Sequence, residues 1–373
     1  MLNLHQMNGF IYETGFVKSK VFFIPFSPGQ PKIFTLLMNN ITIKILAREL
    51  GLSVSTVSKA LSDSHEISPQ TKLRVNEMAK KLNYVPNHFA SSLGTGNSKT
   101  IGVVIPEVVD SFFAQAINGI EAVAVEKGYH VMIYLTHESF EKEKTILKDF
   151  ESGRVDGVLL SVSRETTQTT HVNDLMKKGV PVVFFDRVIN EIATTKITTN
   201  DYEMAYQATT HLIKKGCQKI LFLSFSKLLS ISNKRLEGYK TALQDKGIKV
   251  SNHNILQLKN DPKKDYLLLK NKLNSPNRAD GILASVEKFG FTIYQACESL
   301  RLGIPADVQV ISFSNQEAAS FMNPPLTTVS QPAFEMGKTA ATILMKALGR
   351  KKTAIPEENI ILPSAFAVRK STR

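Results

Sequence analysis

Cysteine is scarce in this chain: 373 residues carry two, Cys217 and Cys297. That excludes a disulfide framework and any multi-cysteine zinc site, and leaves two ordinary thiols suited to a reducing compartment. Long apolar runs are missing as well, since nothing approaches the ~18 consecutive apolar residues of a membrane span. Catalytic signatures are also lacking. There is no P-loop, no G-x-S-x-G elbow and no H-E-x-x-H pair, and the eight histidines show no ligand spacing. The expectation is therefore no enzyme activity, no metal, no cofactor and no membrane partner.

What is present is average in bulk and lopsided in charge. Apolar residues make up 43% and charged residues 21%, ordinary for a folded protein and too apolar for a disordered one. At about 150 residues per domain, the length points to two or three domains. Acidic residues number 33 against 46 Lys and Arg, a net charge of +13. An excess of that sign suits a polyanionic partner.

Residues 1–38 stand apart. Seven Phe or Tyr lie there without helical or strand period, and Pro25, Pro28 and Pro31 cut the segment. A secretory signal needs a basic start, an apolar core of about 7–15 residues and a small-residue cleavage site. Here the apolar run that starts at Val21 stops at Pro25. The segment reads as a disordered tail or as upstream sequence translated from a start set too early. Met38, just before patterned sequence begins, favours the second.

From Ile41 the texture changes. Ile43, Leu46, Ala47 and Leu50 fall at i, i+3, i+4 and i+7, one face of a short helix that Gly51 can stop. Ser53 suits the N-cap of a second helix, Val54–Leu61, with Val57, Ala60 and Leu61 inward. Ser68-Pro69 opens a third, whose buried stripe is Val75, Met78, Ala79 and Leu82 and which Asn83 and Pro86 close. Three short helices, the first two joined by a three-residue turn containing Gly, form a helix-turn-helix pattern.

In that pattern the second helix enters the major groove and its first turns meet base edges. Ser55 can bond several bases, Lys59 can bond guanine O6 and N7, and Val54 can touch a thymine methyl. Val54 also lies about 60° from Val57 on the helical wheel, so inward packing stays open for it. Ser53 belongs to the same DNA-facing segment. Thr42, Thr56, Ser58, Ser68 and Thr71 are candidate phosphate contacts, with plain helix capping as the alternative. Residues 39–100 hold eight Lys or Arg against four Asp or Glu, a net +4 suited to a phosphate-facing surface.

Beyond Thr100 apolar runs alternate with amphipathic helices. The runs are residues 101–105, 131–135, 157–160, 180–185, 220–225, 255–258, 281–284 and 308–313. Continuous apolar strands between helices mean parallel sheet covered on both faces. The region is too long for one such sheet. Lys127-Gly128, Lys178-Gly179, Lys215-Gly216 and Lys246-Gly247 each end a helix before a strand. Two doubly wound lobes follow, with a ligand expected in the crevice at the carboxyl ends of their strands.

The order of these segments carries a resemblance. ITIKILARELGLSVSTVSKAL, then LNYVPNHFASSLGTGNSKTIGVVIP, VDGVLLSV, GVPVVFFDR, TTHLIKKGCQKI, RLEGY, VQVISFSN and PPLTTVSQPAFEMGKTAATIL run in register. Over residues 41–370 the chain resembles the lactose-repressor (LacI/GalR) family of bacterial transcription regulators. The resemblance implies an α/β protein with a three-helix helix-turn-helix headpiece (39–85) and a hinge helix with linker (86–99). The rest would be a type I periplasmic-binding-protein-like core of two doubly wound parallel-sheet lobes. These would be residues 100–198 with 332–358, and residues 199–331 with 359–373. It also implies a cytoplasmic homodimer that acts on double-stranded DNA at a near-palindromic operator, as a repressor, with an activator as the alternative. A small-molecule effector, a carbohydrate or related metabolite, would sit between the lobes. No leucine-heptad tail follows Lys370, which favours dimers over tetramers.

By the same resemblance residues 86–93 would be a hinge helix. Asn87 can cap it, yet it falls far below the about 12–15 residues that hold alone in water, so it should form only with DNA and a partner hinge. Leu93 matches the family's minor-groove wedge, with Ala90 on the same short helix; a plain linker is the alternative. Phe112 and Phe113 match positions that hold a ring-shaped ligand, and Arg235 matches a ligand-binding arginine whose five donors suit hydroxyls or carboxylates. Arg187, Glu287, Ser314 and Asn315 complete the effector set. For each the alternative is a lobe-lobe or surface polar contact.

Three residues depart from the family pattern. Ile45 stands where Asp is usual, Lys59 replaces the commoner Arg, and Ser314 stands where many sugar binders have Asp. The last loosens the case for a simple neutral sugar. The expected mechanism is linkage: effector moves the lobes, and this changes how readily the hinge helices form, with a coupling of ~1–3 kcal/mol. Its sign stays open. A solute-binding protein of the same core fold competes with this reading, but it would need an export signal and no helix-turn-helix.

Overall fold

In the computed structural model of the chain, residues 41–85, 98–349 and 354–372 are described. The described residues at 41–85 form one compact unit and those from 98 onwards another. The expected hinge at 86–93, with Asn87, Ala90 and Leu93, lies outside the described residues.

The smaller unit is built of α1 (Ile43–Leu50), α2 (Val54–Leu61) and α3 (Pro69–Lys81). Gly51, at φ 63°, turns the chain between α1 and α2. Ser53 caps α2 by accepting the Thr56 N–H at 3.0 Å, and Ser68 caps α3 through Thr71 at 3.3 Å. Arg74 donates to the Leu50 carbonyl at 3.1 Å and so satisfies the end of α1. Leu46, Ala47, Leu50, Val57, Ala60, Val75 and Ala79 form the core, while Leu61, Met78 and Leu82, expected inside, sit partly buried at its rim. Leu46 is fully buried. Truncating it to Ala would cost about 2–5 kcal/mol, a large share of what so small a core supplies.

The larger unit holds two six-stranded sheets. The first contains β1 (Thr100–Ile105), β2 (His130–Leu135), β3 (Gly157–Leu160), β4 (Val182–Phe185), β5 (Lys196–Thr199) and β11 (Asn359–Leu362). Their order is β11-β5-β4-β3-β1-β2. The second contains β6 (Ile220–Ser224), β7 (Ile255–Gln257), β8 (Gly281–Ala284), β9 (Gln309–Phe313), β10 (Thr327–Ser330) and β12 (Ala365–Ala367). Their order is β12-β10-β9-β8-β6-β7. The pairings are parallel except that of β10 with β12.

Helices α4 (Ser111–Glu126) and α11 (Ala333–Ala347) cover one face of the first sheet, and α5 (Phe140–Phe150) and α6 (Thr170–Lys177) the other. In the second lobe α7 (Asp201–Lys214) and α8 (Ser230–Asp245) face α9 (Pro262–Leu273) and α10 (Lys288–Ser299) across the sheet. Along β4, Val182 and Phe184 enter one layer and Val183 and Phe185 the opposite one. Burial on both faces is what makes such a strand read as an unbroken apolar run. The four Lys-Gly junctions each place the glycine at φ between 69° and 93° just after a helix, a turn that costs a side-chain-free residue least.

The chain passes between the lobes after β5, after β10 and after β11. Ser364 N–H donates to Asn200 Oδ1 at 2.8 Å, and Gln331 Nε2 to Thr199 Oγ1 at 3.2 Å, so the crossings are tied to each other. The last boundary differs from the expected one. β11 pairs with β5, Ile360 opposite Ile197, so the first lobe extends to Leu362 and not to residue 358. Strands β5 and β10 are absent from the sequence reading because KITT and TTVS carry threonines inward. Partners distant in sequence satisfy the β10 hydroxyls: Thr327 donates to the Arg369 carbonyl at 3.1 Å and Thr328 accepts from the Arg369 guanidinium at 2.8 Å.

Candidate functional site

Two surfaces are candidates, one in each unit. In the smaller unit the residues expected to face DNA lie mostly on α2 and its cap, with Thr42 at the start of α1 and Ser68 and Thr71 at the start of α3. Val54 is 41% exposed, so it points away from the core that Val57 and Ala60 enter. Ser55, Ser58 and Lys59 are exposed on the same short helix, and Thr56 is half-buried. The hydroxyls of Ser53, Ser55 and Thr56 form a cluster, with Ser53 Oγ 2.8 Å from each of the other two. Lys59 forms a salt bridge with Glu66 just beyond the helix. Ser53 and Ser68 are caps, and Thr71 completes the second cap, its hydroxyl 2.9 Å from Ser68. Thr42 occupies the N-cap position of α1 without closing it, which leaves its hydroxyl for another partner.

In the larger unit a cavity lies between the lobes at the carboxyl ends of the strands, where a doubly wound sheet places ligands. All seven expected effector residues line it: Phe112, Phe113, Arg187, Arg235, Glu287, Ser314 and Asn315. All but Arg235, which lies in the second turn of α8, come from short segments that follow a strand or open a helix. Asp110, Asp186, Ile231, Val286, Phe313 and Gln331 complete the wall. Only about 20 Å³ admits the centre of a water molecule, room for about one or two waters. The lobes are shut, and a sugar-sized ligand requires them to part.

Hydrogen bonds across the cleft hold that closure. Glu287 accepts from Ser111 N–H at 2.7 Å and Ser111 Oγ at 2.5 Å. Gln115 and Asn315 pair reciprocally: Asn315 Nδ2 donates to Gln115 Oε1 at 2.9 Å and Gln115 Nε2 to the Asn315 carbonyl at 3.2 Å. Glu287 and Asn315 thus fulfil the lobe-lobe alternative as well as lining the cavity. The Ser314 hydroxyl accepts from Gln316 N–H at 3.1 Å and is partly spent on its own loop.

The two arginines are held differently. Arg235 donates from Nε to Asp201 at 2.7 Å and from Nη1 to the Ser285 carbonyl at 2.5 Å, and its guanidinium lies 4.0 Å over the Phe313 ring. Its Nη2 is buried with no partner among the described residues, as are Asp201 Oδ2 and Ser285 Oγ. Arg187 donates to both oxygens of Glu138, at 3.0 and 2.9 Å, and its Nε is likewise buried without a hydrogen bond. Buried donors without acceptors are costly, so Arg235 Nη2 and Arg187 Nε, the latter 3.8 Å from Asp186 Oδ2, are the atoms on the cavity wall that a ligand's oxygens would satisfy. Asp186 and Glu138 both adopt left-handed backbone, φ 59° and 62°. Such turns are strained outside glycine, though Asp tolerates them, and they cluster at functional sites.

The closed cleft shifts its acids. Burial first, and the Glu287 carboxylate second, push Asp110 up to about 7. Burial also raises Asp186, against the pull of Arg187 and Arg235. Asp110, Asp186 and Gln331 are the polar wall residues that the sequence reading missed. Asp110 gave a signal of sorts, an Asp cap at the start of a helix that follows a strand.

The comparisons with known proteins fall on both surfaces. Residues 42–87 match the family model described as bacterial regulatory proteins, lacI family, and residues 209–372 match the periplasmic binding protein-like domain. The HTH-type transcriptional regulator RegA of Clostridium saccharobutylicum is 30% identical over 333 residues, 89% of this chain and 99% of that protein. The chain belongs to the LacI family of bacterial transcription regulators. Members join a helix-turn-helix DNA-binding domain to an effector-binding, periplasmic-binding-protein-like domain. Among solved structures, the lac repressor dimer bound to operator and the anti-inducer ONPF matches with a TM-score of 0.76 at 22% identity, covering 90% of this chain and 99% of that one; that likeness is one of fold. A LacI family regulator from Enterococcus faecium with bound ribose matches with a TM-score of 0.64 at 26% identity, over 73% of this chain and 98% of that one. Among the described residues no helix is long and apolar enough to cross a membrane.

Proposed function

We propose that this LacI-family chain is a repressor that reads a near-palindromic operator as a homodimer and whose grip on DNA is set by a small carbohydrate bound between the lobes. The observation that carries the effector reading is the cleft wall. Two buried arginines with unused N–H groups and the carboxyl groups of Asp110, Asp186 and Glu287 surround the rings of Phe112, Phe113 and Phe313. Hydroxyls both donate and accept, so a polyol satisfies arginine and carboxylate together, while its C–H face packs on aromatic rings. Ribose in the Enterococcus faecium relative supports this class of ligand.

On the DNA side, Val54, Ser55 and Lys59 are proposed to meet base edges, with Thr42, Thr56, Ser58 and Thr71 on phosphates. Ser53 and Ser68 contribute chiefly as caps. The site is proposed for binding, not turnover, in a cytoplasmic regulator. A solute-binding role is disfavoured by the helix-turn-helix domain at residues 42–87.

The test is fluorescence anisotropy with DNA from upstream of the protein's own gene, with and without a panel of monosaccharides. Specific binding that a sugar shifts by about 5- to 150-fold, and that is lost on deleting residues 39–93, is the expected result. Sugar binding to a chain that ignores DNA would overturn the proposal.

A further inference from the structure

The chain's excess of positive charge is not spread evenly, and a dense part of it lies in the second lobe at the end opposite the cleft. In that lobe β6, β7, β8 and β9 run parallel. Their amino ends therefore share one face with the carboxyl ends of α7, α8, α9 and α10, the helices that lead into them. Contacts tie these connections together. Gln309 at the start of β9 donates to the Lys215 carbonyl at 2.9 Å, and Lys219 before β6 reaches the Asn277 side chain before β8.

Residues 214–219, 245–250, 272–280 and 300–308 form the four connections and carry eight Lys or Arg against three Asp, a net +5. Asp280 is occupied by the N–H groups of Gln218 and Lys219, and Asp307 pairs with Arg278 at 3.2 Å. Lys214, Lys215, Lys219, Lys246 and Lys249 are exposed and form no salt bridge among the described residues. Burial first, and then the charges of Lys215 and Lys214, hold the nearby His211 imidazole below its ordinary range.

The first lobe supplies an internal comparison. Its helices also end on lysines before strands, but there Lys127 pairs with Glu126 at 2.7 Å, Lys148 with Glu151 at 2.9 Å and Lys177 with Asp174 at 3.2 Å. A lysine in the last turn complements the helix dipole in either lobe. That explains lysines at helix ends and leaves the missing acids of the second lobe unexplained. What else the face lacks points to a partner. None of the four connections exposes a Phe, Leu, Ile or Val. Protein interfaces centre on aromatic and aliphatic anchors and are poor in lysine, and single-stranded nucleic acid needs rings on which to stack. A lysine-rich face without rings suits the phosphate backbone of a duplex.

We infer that this end of the second lobe is a further, sequence-independent surface for double-stranded DNA, one that holds the phosphates of a segment other than the one offered to α2. The inference goes beyond the sugar reading and does not depend on it. Phosphate contacts position a duplex without reading its bases. Five lysines that neutralise phosphates release condensed counterions, so log affinity should fall against log salt with a slope of about −4 to −5. A surface of this kind is weak alone, with a Kd of about 10⁻⁴–10⁻⁶ M at physiological salt. It acts on DNA that the helix-turn-helix has already brought near, where tethering raises the effective concentration. One regulator then holds two stretches of duplex together.

The test mixes the full-length protein with donor-labelled and acceptor-labelled random-sequence duplexes and reads energy transfer, which requires two duplexes on one particle. The test variant joins Lys214→Gln, Lys215→Gln, Lys219→Gln, Lys246→Gln and Lys249→Gln. A control removes the same charge from lysines that already have acidic partners, through Lys127→Gln, Lys144→Gln, Lys148→Gln, Lys177→Gln and Lys264→Gln. Parent and control should show transfer at about 50 mM salt, with affinity for the second duplex lower by about two to three orders of magnitude at 200 mM. The test variant should lose that affinity by about tenfold or more, while anisotropy with one labelled duplex shows the first segment still bound. Absence of transfer with the parent protein would overturn the inference. So would transfer that survives in the test variant, or a loss of equal size in the control, which would make the effect one of net charge and not of this face. Melting curves confirm that each variant is folded.

Discussion

Glu287 and Ser111 join the two lobes through one carboxylate. Glu287 follows β8 in one lobe and accepts both the backbone N–H and the hydroxyl of Ser111 at the start of α4 in the other, at 2.7 and 2.5 Å. The same carboxylate accepts Asn315 N–H at 3.1 Å and Gln316 Nε2 at 3.3 Å. It therefore serves as a latch and as a brace for the loop after β9. Hydrogen bonds to a charged group are worth about 1.5–3 kcal/mol each, and stranding their donors costs more. Glu287→Ala should open the unliganded protein. Small-angle scattering is expected to show a larger radius of gyration, with a melting temperature several degrees lower. Unchanged values of both would show that the latch does not hold the lobes.

The neighbouring Asp110 makes the fold sensitive to pH. Its carboxyl pKa rises from an ordinary 3.8 to about 7 in the closed fold, so the folded form binds a proton that the unfolded chain has already released. The stabilisation is fully present below about pH 3.8, declines as pH rises towards 7, and is gone above that. Asp110→Asn keeps the cap oxygen that accepts Phe112 N–H at 3.1 Å and cannot ionise. Its melting temperature, measured against the parent protein, should gain between about pH 4 and pH 7 and level off above that. Parallel curves across that window would refute the assignment.

Why some of this could be read from the chain and some could not is a question of which forces act locally. Helices α1 and α2 emerged with their observed limits because Ser53, Gly51 and the spacing of Leu46, Ala47 and Leu50 act within a few residues. The buried strands with unbroken apolar runs were legible for the same reason. KITT at β5 and TTVS at β10 were not, because their polarity is offset by partners distant in sequence, such as Gln331 for Thr199 and Arg369 for Thr327 and Thr328, which no local window sees. The seven effector positions came by family likeness and all reached the cavity. Asp186 escaped notice because its role depends on a left-handed turn and on Arg187 and Gln331, which only the fold brings together.

Helix α2, proposed to read the operator, carries a restraint that can be removed. Lys59 forms a salt bridge with Glu66, and both side chains are about half exposed. Exposed pairs are worth up to about 1 kcal/mol, so Glu66→Gln should raise affinity for random duplex by up to about fivefold. Lys59→Ala should do the reverse and weaken operator binding by about 1–3 kcal/mol, relaxing preference at one base pair. Anisotropy titrations against the operator, against operators altered at single base pairs and against random duplex check both, since losing a base contact relaxes preference at one position. An operator affinity indifferent to Lys59→Ala would remove it from the interface.

Substitution of Arg235 should separate effector sensing from operator binding. Its fork spans Asp201 and the Ser285 carbonyl while stacking on Phe313, and Nη2 remains for a ligand. Lysine keeps the charge but has no planar fork, so Arg235→Lys cannot reach both partners and still present a donor. With one partner lost, Asp201 stands as a buried carboxylate short of a cation, a change that typically costs about 3–5 kcal/mol when a buried pair is broken outright and less when a charge is retained nearby. The variant should keep its operator affinity without effector, because the helix-turn-helix is a separate compact unit. Its response to the effector should fall by about tenfold or more. The measurement is operator affinity titrated against effector for both proteins. A variant that responds at the parent's effector concentration would show that Arg235 is a structural brace within its lobe and not a ligand contact.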